Sequence, residues 1–423
     1  MALHGGAPQA SLSRATTASV RWFTLTALAE SVGDSLSRTL MPIVAVSVLG
    51  AGAATVGVIN SLGLLAFLFL GLPLGSLADR WSAPTAIMTT STLVRAAAVL
   101  AVAGAWSLGR LEGATGLAVL ILLALVVGVA DVGYTSGQGL LVPRLVEADR
   151  VRAVFGRVQT ASQIGGALGP MLLAGVLAFA AAPLVWFSAA AAYLVSALTQ
   201  RGVSPAPSAG AAPERTSMWA QARGGMSHVM GEPTLCKITV ANTLNNAAVM
   251  AANTLLPVIA LTTLDVSSAT YASIGVIGAV AGIVGAASAS TITSKLGLRT
   301  TRLAASAGMS IGILLVMLAG TVTSALPGPA ELWLAIQSGL TGLCTSVALV
   351  AGADLAPRLS PREVLGSVMG AQRTLVLGVM PLSALAIGTL ASVLGTVTAI
   401  YVWLALALAS AVPCLTLTDP DRT

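Results

Sequence analysis

Apolar stretches about twenty residues long recur along the whole chain, and that recurrence narrows the possible folds more than any other feature. A bilayer core about 30 Å thick needs roughly 20 apolar residues for each helical crossing. Twelve segments of that kind can be marked out, at 21–49, 54–78, 85–107, 116–142, 159–181, 184–200, 238–262, 268–293, 301–322, 330–355, 367–392 and 395–416. Only 9% of the residues are charged and 56% are hydrophobic, whereas an ordinary globular chain carries about 25% charged residues. The expected fold class is an all-α membrane protein of twelve transmembrane helices. The first segment is too long and too polar inside for a signal peptide and is expected to stay as a membrane helix.

That first segment carries the sharpest signal. It runs from Arg21 to Leu49 and holds Glu30, Asp34 and Arg38, each four residues from the next. On a helix this spacing stacks them along one face, over about 12 Å of rise. A charge facing lipid costs roughly 2.5–3.5 kcal/mol on insertion scales, so the stripe must face protein or a water-filled cavity. Two readings fit: an ion pair that registers two helices, or a proton or substrate site inside a transporter.

Basic residues set the expected orientation. Of the 21 Lys and Arg residues, 17 fall on one side of the twelve-span scheme, with Arg302 counted in the eighth-to-ninth loop. Arg110 alone lies in a loop of the other side, and Arg38, Arg95 and Arg373 lie within spans. The positive-inside rule then places both termini and the middle linker in the cytoplasm of a cell with this protein in its inner membrane. The net charge of +6 is accounted for by this lipid topology, and no basic patch with interleaved aromatics points to nucleic acid. Cys236, Cys344 and Cys414 are widely spaced and read as small packing residues.

The chain also repeats itself. Residues 143–160 (PRLVEADRVRAVFGRVQT) and 357–374 (PRLSPREVLGSVMGAQRT) match at six positions with an offset of 214, and each copy joins the fourth to the fifth span of its half. Two parallel six-helix halves are expected from such a duplication. The expected organisation is a cytoplasmic tail at 1–20, bundles at 21–200 and 238–416, a linker at 201–237 and a second tail at 417–423. Within the linker, residues 201–213 are rich in Pro, Ala and Ser. From 214 to 232, Met218, Trp219, Ala222, Met226 and Val229 fall at helical spacing, which predicts an amphipathic helix on the membrane surface, weakened by Gly224 and Gly225.

Three motifs together resemble the major facilitator superfamily over nearly the whole length. The loop after the second span reads Gly75-Ser-Leu77-Ala-Asp79-Arg80-Trp-Ser82, similar to the superfamily's G-x-L-a-D-R-x-G signature, with Ser82 in place of the second Gly. The resemblance implies that Gly75, Asp79 and Arg80 latch the cytoplasmic side when the protein faces outward. The fifth span, with Gly165, Gly169 and Pro170, resembles the Gly-Pro signature of proton-coupled exporters; ordinary glycine packing is the plainer reading. The first-helix run SVGDSLSRTLMP, with LVR at 93–95 and LVPRLV at 141–146, resembles the branch of siderophore exporters and macrolide-type efflux proteins. In that branch Asp34 matches a recurrent first-helix acid.

One departure matters. Drug-proton antiporters often carry an Arg in the fourth helix, where this chain holds Asp131 instead; Arg38 or Arg95 can stand in for it. Asp34 and Glu30 are the leading proton-coupling residues, followed by Asp131, which can also simply pair with Arg95. Asn242, Asn246 and Asn253 share a face of the seventh span and suit either a polar substrate cavity or helix-to-helix hydrogen bonds. Arg373 either answers Asp79 or Glu363 or lines the cavity.

The implied function is export of a small amphipathic molecule (drug, antibiotic or siderophore-like) by proton antiport. The expected protein is a monomer whose partners are its small-molecule substrate, protons and the bilayer, with no nucleic acid, cofactor or metal. The nearer rival is an importer or uniporter of a polar or cationic solute on the same fold. An intramembrane enzyme or lipid-handling protein would need a nucleophile with its base, or metal ligands, inside the spans. His4 and His228 both lie outside them.

Overall fold

A computed structural model describes residues 7–80, 84–146, 148–179, 182–204, 218–353, 355–361 and 364–417. The chain is all-α, and no sheet forms among the described residues. In order the helices are α1 (Ala7–Ser47), α2 (Ala53–Arg80), α3 (Pro84–Ser107), α4 (Gly113–Leu145), α5 (Ala148–Phe179), α6 (Ala182–Gln200) and α7 (Met218–Gly231). They continue as α8 (Pro233–Val258), α9 (Ser268–Leu296), α10 (Leu298–Leu318), α11 (Ala330–Val350), α12 (Leu355–Leu359), α13 (Leu365–Leu394) and α14 (Thr396–Ala409).

The twelve expected spans fall on α1–α6, α8–α11, α13 and α14. Among the described residues, nine helices are long and apolar enough to cross a membrane, and Ala53–Ala66 and Val185–Gln200 are shorter apolar stretches within α2 and α6. Helix α1 begins at Ala7, well before the expected start at 21. Two helix-to-helix corners are single glycines. Gly297 joins α9 to α10 at φ 82° and Gly395 joins α13 to α14 at φ 88°, a backbone that side chains other than Gly rarely adopt.

The chain divides into two compact units, one of Met1–Met41 with Leu65–Ala212 and one of Pro42–Leu64 with Pro213–Thr423. In the first, α3 packs against α4 and α6. A buried cluster there includes Phe23 and Ala27 of α1, Met88 of α3, and Tyr134 and Leu141 of α4. In the second, α9 packs on α11 and α13 on α8, around a core that includes Val56, Leu255, Ile313 and Trp403.

The linker helix forms as α7 and docks within the second unit, against α13 and α8. Val229 is fully buried there and Met226 packs beside it. Gly225, expected to weaken this helix, is what lets it dock: a Cβ at that position would collide with the backbone of Ser367. The side chains of Met218, Trp219 and Ala222 lie outside the described residues.

Candidate functional site

Three helices of the first unit, α1, α3 and α4, bring a charged cluster together. The four-residue spacing on α1 sets Glu30, Asp34 and Arg38 on one face, as helical geometry requires. Arg38 Nε donates to both oxygens of Asp34 at 2.9 and 2.8 Å, and Nη2 donates to Asp131 of α4 at 3.1 Å. From α3, the buried Arg95 pairs with the buried Glu30 and places Nη1 3.8 Å from Asp34 and 3.5 Å from Asp131. Asp131 therefore bridges both arginines. The cluster holds three carboxylates and two guanidiniums, so with every group ionised it carries one negative charge in excess.

Burial is uneven across it. Glu30 and Arg95 are closed off from solvent, whereas the side chains of Asp34, Asp131 and Arg38 keep 29%, 30% and 34% exposure. Water can therefore reach the outer trio. An ion pair sealed in a low-dielectric interior is held only if its remaining polar atoms are served. Part of that service comes from aromatic rings: Tyr134 and Tyr193 place their ring centroids 5.2 and 5.1 Å from the central carbon of Arg95, within cation–π range. Another part comes from Thr92, whose hydroxyl donates to Glu30 Oε2 at 3.0 Å.

Glycines set the helix spacing around this cluster. A Cβ on Gly33 would lie 2.9–3.1 Å from ring atoms of Tyr193, so its absence lets that ring settle against α1 and reach Arg95. On α5, a Cβ at Gly165 would meet Leu28 O at 2.5 Å, and one at Gly169 would collide with Ser35. Ser35 in turn donates to Gly166 O at 2.9 Å. Gly165 and Gly169 thus press α5 against the stretch of α1 that carries the acids, with Pro170 next in line inside the same helix.

The other expected site residues go elsewhere. Asn242 accepts from Arg302 Nη2 at 2.8 Å and Asn246 donates to Val376 O at 3.1 Å, so each amide makes a helix-to-helix bond of the second unit. Asn253 is exposed on α8, and its backbone carbonyl accepts from Asn60 at 3.2 Å. Arg373 lies exposed on α13. Gly75, Asp79 and Arg80 fall on the last turns of α2, and their side chains lie outside the described residues, as does Glu363.

Arg302, counted from the sequence with a loop, is buried in α10 and donates to Ala348 O at 2.7 Å. Its position one turn inside α10 follows from the single-residue Gly297 corner, where the expected spans leave a loop from 294 to 300. Sequence reasoning also missed Thr92 and Tyr193. Isolated polar residues in apolar helices show no period that could single them out.

The sequence profile of the Major Facilitator Superfamily matches residues 23–328, well over half of the chain. The chain belongs to this superfamily. Among solved structures it is similar to a variant of the nucleoside transporter NupG, with 12% identity and a TM-score of 0.75, covering 94% of this chain and 99% of that one. A bacterial homologue of the iron transporter ferroportin in an inward-facing state gives 16% identity and a TM-score of 0.70, covering 94% and 98%. A bacterial homologue of the human lysosomal transporter Spinster gives 14% and 0.65, covering 97% and 96%. At these identities the likeness is one of fold. No curated protein sequence matches the chain. Membership makes this a multi-pass membrane transporter of small solutes.

Proposed function

We propose that the protein exports a small amphipathic molecule in exchange for protons. The observation that carries this reading is the charge count of the α1–α3–α4 cluster, three carboxylates against two guanidiniums. One added proton makes it neutral, and its loss restores a net charge that must face water. Such a difference biases an alternating-access equilibrium between states that expose the cluster differently. Asp34, Glu30 and Asp131 are the acids of the coupling machinery, and Arg38 and Arg95 are their charge partners.

Export is supported by the resemblance of α5 to proton-coupled exporters and by the contact of Gly165 and Gly169 with the acid-bearing stretch of α1. Drugs, antibiotics and siderophore-like molecules are the substrate classes of the branch it resembles. The protein acts as a monomer in the cytoplasmic membrane, with Gly75, Asp79 and Arg80 latching the cytoplasmic side.

A second reading uses the same excess charge: a cationic solute, rather than a proton, balances the cluster, and the protein is an importer or uniporter. Purified protein in liposomes containing a pH-sensitive dye separates the two. A substrate gradient is imposed, and wild type is compared with Glu30→Gln, Asp34→Asn and Asp131→Asn. Each substitution removes the odd charge, so each is expected to abolish substrate-driven proton flux. Substrate movement with no proton movement in wild type would leave the second reading standing.

A further inference from the structure

Behind Glu30 runs a buried chain of polar groups whose direction is reversible. Thr92 is fully buried and Gln200 nearly so. Gln200 Nε2 donates to Thr92 Oγ1 at 3.2 Å, and the Thr92 hydroxyl donates onward to Glu30 Oε2 at 3.0 Å. At the other end Gln200 Oε1 lies 2.6 Å from Thr89 Oγ1, which is also 2.8 Å from Thr85 O. A hydroxyl has one hydrogen to give, so Thr89 serves one of those two acceptors at a time.

Two arrangements follow from this geometry, with Ser196 Oγ as a further partner of Gln200 Nε2 at 3.5 Å in the first. In the first, Thr89 donates to the Gln200 carbonyl, the Gln200 amide donates to Thr92, and Thr92 donates to an ionised Glu30. In the second, the Gln200 amide is turned over, an exchange of O and N that occupies the same volume. Its N–H then donates to Thr89, whose own hydrogen goes to Thr85 O. Its carbonyl accepts from Thr92, and the freed Thr92 oxygen accepts from a protonated Glu30. No proton passes along the chain, because the amide only reverses its direction; the added proton sits on Glu30.

We propose that Gln200 and Thr92 are positioning residues that keep a hydrogen-bond partner for Glu30 Oε2 in either protonation state. This rests on the proton-coupled reading and assigns the proton within it. When Glu30 is protonated, Arg95 retains Asp34 and Asp131 at 3.8 and 3.5 Å, and the cluster becomes two carboxylates against two guanidiniums. The charged and titratable groups facing Glu30 are Arg95 from α3, Asp34 on its own helix, Tyr134 from α4 and Tyr193 from α6, with Asp131 of α4 on the far side of Arg95.

Infrared titration of the purified protein in lipid nanodiscs tests the proposal without requiring a substrate. A carboxyl C=O stretching band that grows in as pH falls, and that is absent in Glu30→Gln, reports Glu30. A hydrogen bond to a charged group is stronger than one to its neutral form. Removing the donor in Thr92→Val or its orienting amide in Gln200→Met is therefore expected to move the midpoint of that band by about one unit to higher pH. Thr92→Ser keeps the hydroxyl and is expected to restore the wild-type midpoint.

Equal midpoints in wild type, Thr92→Val and Gln200→Met would overturn the positioning role, as would a titrating band that persists in Glu30→Gln. Proton flux in liposomes is read separately. A wild type that titrates as expected but moves no protons refutes the coupling reading, whereas coupled flux with unshifted midpoints refutes only the chain.

Discussion

Gly33 shows how one missing carbon shapes the site. A methyl there would press on the Tyr193 ring at 2.9–3.1 Å, and that ring is part of what encloses Arg95. Gly33→Ala is expected to lower stability by about 1–3 kcal/mol, the usual cost of overpacking, and to reduce proton-coupled flux by displacing the ring. Thermal unfolding in detergent and the liposome assay check the two effects; an unchanged melting point would mean that α1 and α6 do not meet as described. At this scale the sequence made the α1 stripe legible, because a four-residue spacing on a helix admits one geometry. It left open which arginine meets which acid, since that depends on distances between helices rather than on position along one. Asp131, which the sequence places behind Asp34 and Glu30 as a coupling acid, lies against both arginines. The seventh-span asparagines share a face as expected, but Asn242 and Asn246 are bonded to neighbouring helices. A periodic pattern tells which way a side chain points, not what stands opposite.

Helix α5 carries a finer pattern than a count of its glycines reveals. Gly165 and Gly169 sit against the backbone and Ser35 of α1, whereas Gly166 and Gly175 have nothing within 4 Å of where a Cβ would stand. The first pair is spaced four residues apart on the helix, which places both on the face toward α1. Gly165→Ala and Gly169→Ala are therefore expected to push α1 away, disturb the acid stripe and abolish transport. Gly166→Ala and Gly175→Ala are expected to retain wild-type rates. Flux measurements on the four variants at matched reconstitution levels decide it, and equal loss in all four would reduce the motif to helix propensity. Helix α7 teaches the same lesson in reverse. Its apolar spacing is legible in the sequence, whereas the fit of Gly225 against Ser367 is visible only in the packed structure. A glycine that weakens an isolated helix can stabilise a docked one through close packing.

For the molecule as a whole, orientation follows from where the charges fall, and one of them has moved. Arg302 is buried in α10 with Asn242 and Ala348 as its partners, so it no longer counts as a loop residue. Sixteen basic residues then remain on the expected cytoplasmic side against Arg110 in a loop of the other, a bias that survives the correction. The division into compact units was less legible. Pro42–Leu64 belongs to the second unit although it precedes the linker by well over a hundred residues, and Val46, Ala53 and Val56 sit in that unit's buried core. Only packing between distant segments could assign them there, and no local pattern encodes it. Topology itself is open to direct measurement. With Cys236, Cys344 and Cys414 replaced by Ser, a single cysteine is introduced at Leu108→Cys or Ser227→Cys, both exposed sites next to Arg110 and within α7. In intact cells a membrane-impermeant maleimide is expected to label the first at once and the second only after permeabilisation. The reverse result would invert the protein in the membrane. Proton coupling would survive that inversion, because the excess charge depends on the cluster's composition, but a cytoplasmic latch at Asp79 and Arg80 would not.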